Sequence, residues 1–167
     1  MSGAAAAAGE ARIDPVAFAA MVGTPIATSD WFLIDQDRID RFADVTEDRQ
    51  AIHIDHDAGV RAGFGGTIAH GFLSLSLLSA MAGCLPKLAG QAMIMNYGFD
   101  KIRFLGPVKV GSRVKAEFTL SDVTWRDPRR MVMTVQVTIV TDQSPSPVMT
   151  ANWLAMSFFH EDQGEQA

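Results

Sequence analysis

Asp48 and His53, five residues apart in Thr46-Glu47-Asp48-Arg49-Gln50-Ala51-Ile52-His53, are the side chains best suited to moving protons. A carboxylate and an imidazole can serve one small molecule as acid and base if the chain between them brings them together. Further on, Ile68-Ala69-His70-Gly71 opens a stretch almost free of charge. The first N–H groups of a helix lack intrahelical partners, and a residue without a Cβ lets a carbonyl approach, so Gly71 is suited to binding an oxyanion. The plainer reading of the same residues is structural. Asp48 caps a helix or turn, His53 is a satisfied loop or core histidine, Gly71 permits tight packing and His70 orients its turn. Spacing alone does not separate the two readings.

Other chemistries fit less well. His53-Ile54-Asp55-His56-Asp57 matches no fixed metal-ligand spacing and reads as a solvated turn, so no metal site is expected. Gly63-Phe64-Gly65-Gly66 follows no clear strand of a βαβ unit, which argues against a phosphate loop. No nucleophile-elbow pattern surrounds Ser74, Ser76 or Ser79. The 167 residues are 48% hydrophobic and 20% charged with a formal net charge of -5, which suits one globular domain and gives no footprint for nucleic acid or an anionic membrane. The single cysteine, Cys84, forms no internal disulfide and fits a reducing compartment. The alanine-rich start is a poor signal peptide and no membrane span, so residues 1–12 and 161–167 read as tails around a domain over 13–160, with a cytoplasmic location expected.

The positioning elements follow from periodicity. Asp14-Pro15 predicts a short capped helix ended by Gly23, Trp31 to Ile34 a short strand, and 35–43 an amphipathic helix that delivers Asp48. From Asp48 to Gly66 no period holds, and four glycines predict irregular backbone. Phe72 to about Cys84 is apolar nearly all round, a helix that must be wrapped. Strands are predicted over 93–105, 113–120, 131–139 and 148–159, the last apolar on both faces as in a central strand or at a subunit contact. Helix first and a strand meander after imply an α+β fold, an antiparallel sheet curled around one long helix.

Two separated motifs, Phe42-Ala43-x-x-Thr46-x-Asp48-x-Gln50-x-Ile52-His53-x-Asp55 and Phe64-Gly65-Gly66-Thr67-Ile68-Ala69-His70-Gly71, resemble the MaoC-like dehydratases, (R)-specific enoyl-CoA hydratases of the hot-dog fold, in their nodulation-protein-N-like branch. Asn96 to Phe104 and Pro107-Val108-x-x-Gly111-Ser112 extend the likeness. The resemblance implies a homodimer, hydration of trans-2-enoyl-CoA without a cofactor, catalytic Asp48 and His53, and Gly71 as oxyanion donor. It further implies Gln50, His70, Ser79 and Arg103 as substrate-binding residues, with Lys101 or Arg129 as other partners for nucleotide phosphates. Many members carry Asn-Pro where this chain has Gln50-Ala51, which leaves the bend less preset. A thioesterase and a non-catalytic acyl-binding subunit are the alternatives, since one fold hosts several functions.

Overall fold

The computed structural model describes residues 12–160, so the expected tails lie outside the described residues apart from Arg12. Helix α1 (Pro15–Ala19) starts as the sequence dictates: Asp14 Oδ1 accepts the N–H groups of Val16 and Ala17 at 2.8 and 3.1 Å, with Pro15 in the first turn. It ends four residues before Gly23 and inserts Phe18 into the core. Strands β1 (Pro25–Thr28) and β2 (Phe32–Leu33) follow, then α2 (Gln36–Thr46), whose cap is Asp35 accepting from the Arg38 N–H at 2.9 Å. The expected strand at 31–34 is therefore only two residues long. Strand β1 has no alternating signature that the sequence reading could use.

The segment expected to be irregular contains two short helices, α3 (Ala51–Ile54) and α4 (His56–Arg61). Helices of one turn are too short to show a 3.6-residue period. Asp55 Oδ1 starts α4 by accepting from Asp57 and Ala58. The long apolar helix is present as α5 (Gly71–Ser76) and α6 (Leu78–Met81), joined through Leu77 in right-handed helical conformation and closed by a 3₁₀ turn at Ala82–Cys84.

The remaining chain forms β3 (Gln91–Phe104), β4 (Arg113–Asp127), β5 (Arg130–Thr141) and β6 (Ser144–Phe159); only β4 to β6 run as a meander, because the chain crosses over from β3, which pairs with β6, to β4. The sheet is antiparallel in the order β1-β4-β5-β6-β3, with β2 also on β4. Strand β6 is interior, as its two apolar faces require. Strand β3 is an edge, and its register against β6 shifts three times, with Lys101 in the left-handed region at φ 54°. Leu73, Leu78 and Met81 of the helix pack in one core with Phe118, Val137 and Trp153 of the sheet. Each such side chain contributes about 1.5–3 kcal/mol by leaving water, but the sheet covers only one face of the helix expected to be wrapped: Phe72, Ser76, Ser79 and Ala80 are exposed.

One close approach shapes the loop below the helix. A Cβ added to Gly59 in α4 would stand 2.0 Å from the Gly66 carbonyl oxygen, a backbone atom that cannot swing aside. Helix α4 therefore lies directly on the turn that leads into Thr67 and Ile68. Gly59→Ala is expected to destabilise the fold by about 3 kcal/mol, read as a lower urea midpoint with an unchanged m-value.

Candidate active site

Three segments converge at the start of α5. Helix α2 stops at Glu47, which takes a left-handed conformation (φ 60°), so the chain reverses and leaves Asp48 half-buried. Arg49 turns outward to an ion pair with Asp44, not inward to Asp48. Helix α3 then carries His53 into the interior at 7% exposure.

The imidazole is fixed there by one bond. His53 Nδ1 lies 2.7 Å from the Ile68 carbonyl oxygen, which can only accept, so Nδ1 carries the proton and neutral His53 keeps its lone pair on Nε2. The Ile68 N–H donates in return to the Ile52 carbonyl at 3.1 Å, so the two segments are tied in both directions. Ala69 N–H to Val108 O and Val110 N–H to Thr67 O, at 2.8 and 3.0 Å, anchor the same segment to the stretch before β4.

Gln36 is a residue the sequence reading passed over as part of an amphipathic helix. Its Nε2 donates to the His53 carbonyl at 2.9 Å and to Asp40 Oδ1 at 2.8 Å, while its Oε1 accepts from the Thr67 hydroxyl at 2.5 Å. The amide's hydrogen bonds thus clamp α3 to the Gly66-Thr67 turn. A glutamine 31 positions from its partner leaves no local signal in a sequence.

The structure brings Asp48, His53 and His70 together, each offering a ligand-type atom within 4.8 Å of the others. The histidine rings stack at 3.7 Å and 25° from parallel, and each spends one nitrogen on a carbonyl: His53 on Ile68, His70 Nε2 on Asp48 O at 2.8 Å. Rings stacked this way direct their in-plane lone pairs side by side, not at one point, so the trio suits proton transfer better than a metal ion. His53 and Gly71 also line a cavity of about 360 Å³ with Ser74, Phe104, Leu105 and Met149. A Cβ on Gly71 would come within 3.0 Å of the Phe104 ring, so the glycine keeps this wall open.

Other expected site residues fall elsewhere. Gln50 is exposed at the start of α3 with no side-chain capping bond. Ser79 lies on a second, larger cavity of about 530 Å³ with Met95, Asn96 and Trp153, and its hydroxyl meets Asn96 Nδ2 at 3.4 Å. The serine that borders the His53 cavity is Ser74, which is buried. Arg103 is exposed and donates to the Ile102 carbonyl beside it. Lys101 occupies the left-handed position of β3, and Arg129 the turn between β4 and β5.

Burial is the main force on the His53 proton equilibrium and lowers its pKa from the ordinary 6.5; the Ile68 bond opposes it, His70 adds to it and Asp48 opposes it. An unfolded chain takes up this proton at the ordinary value and the folded one only at lower pH. The stability linked to neutral His53 is thus present above about pH 6.5 and lost as pH falls through the folded value. Wild-type urea midpoints should drop from about pH 7 to about pH 5 more steeply than those of His53→Gln, which has no such proton to gain.

The family model described as MaoC like domain matches residues 17–143. Nodulation protein N of Rhizobium leguminosarum bv. viciae is 46% identical over 140 residues, covering 83% of this chain and 87% of that protein. The 3-hydroxyacyl-thioester dehydratase Z of Mycobacterium tuberculosis (strain ATCC 25618 / H37Rv) is 38% identical over 133 residues, 80% of this chain and 88% of that one. Among solved structures, unliganded R-hydratase PhaJ1 from Pseudomonas aeruginosa superposes with a TM-score of 0.63 at 26% identity over 83% of each chain. The α+β architecture is the hot-dog arrangement of these dehydratases. On the extent of the family match and of the Nodulation protein N and dehydratase Z alignments, this chain belongs to the MaoC-like dehydratase family.

Proposed function

We propose that the protein is a hydro-lyase that adds water to a trans-2-enoyl-CoA to give the (R)-3-hydroxyacyl-CoA, and catalyses the reverse dehydration. The observation that supports this most is the pairing of Asp48 with a His53 whose Nε2 lone pair is unspent, beside a cavity that Gly71 borders. The family's dehydratase chemistry supports the same class of reaction.

Asp48 and His53 hold one water between them, and its oxygen bonds to the β-carbon as one of the pair takes a water proton. Electron density moves through the former double bond to the thioester oxygen, and a proton reaches the α-carbon. The Gly71 N–H, at the start of α5, faces the oxygen that gains enolate charge, where a preset donor favours the transition state over the ground state. Phe104, Leu105 and Met149 give the cavity apolar walls.

We also infer that the working form is a homodimer joined through β3. This edge strand exposes Met93, Ile94, Met95 and Tyr97, and Phe72, Phe104 and Leu105 extend the apolar strip. Unpaired edges of this length and character are seldom left open to water. The active-site chemistry needs no nucleic acid, and no described helix is long and apolar enough to cross a membrane. A cytoplasmic location belongs to the same reading, since CoA thioesters are met there.

Purified protein should consume the enoyl-thioester absorbance of a short trans-2-enoyl-CoA without releasing thiol, and chiral analysis should return the (R)-alcohol. Asp48→Asn and His53→Ala should each lower this rate at least about a hundredfold while retaining the wild-type circular dichroism. Free thiol from a saturated acyl-CoA would instead identify a thioesterase. For the dimer, light scattering should give twice the chain mass for wild type and the single chain mass for Tyr97→Asp.

A further inference from the structure

We infer that His70, which the proposed reaction does not consume, is a positioning residue that sets the separation of Asp48 and His53. This rests on the hydratase reading above. His70 is 2% exposed. Its Nε2–H donates to the Asp48 carbonyl, and its Nδ1 is buried without a hydrogen-bond partner among the described residues. Neither nitrogen is therefore available to a substrate, although the resemblance implied a binding role.

The ring instead touches both members of the pair. It stacks on His53 at 3.7 Å and holds the Asp48 main chain at 2.8 Å, while Phe42 of α2 packs against it at 5.0 Å. The direct chain path between the pair offers less support. Arg49 faces outward to Asp44, Gln50 forms no side-chain cap, and Ala51 does not preset the bend as a proline would. A buried lone pair with no donor is costly to stability, and such a group is retained where it fixes a geometry. His70 is two-ended: one nitrogen places the acid through its backbone, and the ring face places the base.

Two substitutions separate the ends. His70→Phe keeps a flat ring against His53 and removes the donor to Asp48. His70→Gln removes the ring and offers an amide N–H to the Asp48 carbonyl. With a short trans-2-enoyl-CoA, His70→Phe should lower kcat by about tenfold to a hundredfold with KM within about twofold, and His70→Gln should recover part of that loss. A KM that rises as much as kcat falls would make His70 a binding residue and overturn the inference. Unchanged kcat in folded His70→Phe would also overturn it.

A second readout does not depend on turnover. NMR pH titrations should show the His53 imidazole ¹⁵N midpoint moving in His70→Phe, with the Asp48 backbone carbonyl ¹³C shift also displaced there and returning toward wild type in His70→Gln. If no enoyl-CoA is hydrated, the reaction assignment fails while these titrations still decide the role of His70. Coincident titrations in all three folded proteins would overturn it.

Discussion

The bond from His53 Nδ1–H to the Ile68 carbonyl is the constraint on which the site depends. It decides which nitrogen of a buried imidazole faces the cavity, and it joins α3 to the entry of the central helix. A carbonyl oxygen is a stringent partner because it accepts and never donates, so neutral His53 has one tautomer compatible with it. That tautomer is the one with an unspent Nε2. The proton inventory of the pair is thus written into the path of the main chain at Ile68.

The Ile68 carbonyl is in place because several separate contacts locate its segment. Gly59 lets α4 lie on Gly66, Gln36 clamps Thr67 to the end of α3, and Val108 and Val110 hold Ala69 and Thr67 from the sheet side. These contacts come from separate parts of the chain, and only the last involves the approach to a strand. The sheet supplies rigidity through its packed inner face, and the short helices translate that rigidity into the position of one oxygen atom.

Much of this was legible in the sequence wherever a period ran long enough. Alternation of Val114, Ala116, Phe118 and Leu120 with polar neighbours marked β4, and the uncharged run after Gly71 marked the helix that packs on the sheet. The motifs carrying Asp48, His53 and His70-Gly71 identified residues that the fold does bring together. Illegible were α3 and α4, too short for a period, and β1, whose pairing with β4 is set by residues far along the chain, as in Pro25 opposite Thr119. Gln36 was hidden for the same reason. That Ser74 borders the His53 cavity while Ser79 borders another depends on the rotation of the helix, which apolar residues on every side do not encode.

Strand β3 carries a further consequence for solution behaviour. Its three offsets against β6 and the left-handed Lys101 give the open edge a crooked outline over fourteen residues. A straight foreign strand can match such an outline only in short stretches, so indiscriminate stacking into fibres is disfavoured. A strand with the same crookedness, running the opposite way, can mirror it along its length. Molecular selectivity among neighbours is therefore built into an irregularity of the backbone, independent of which side chains decorate it.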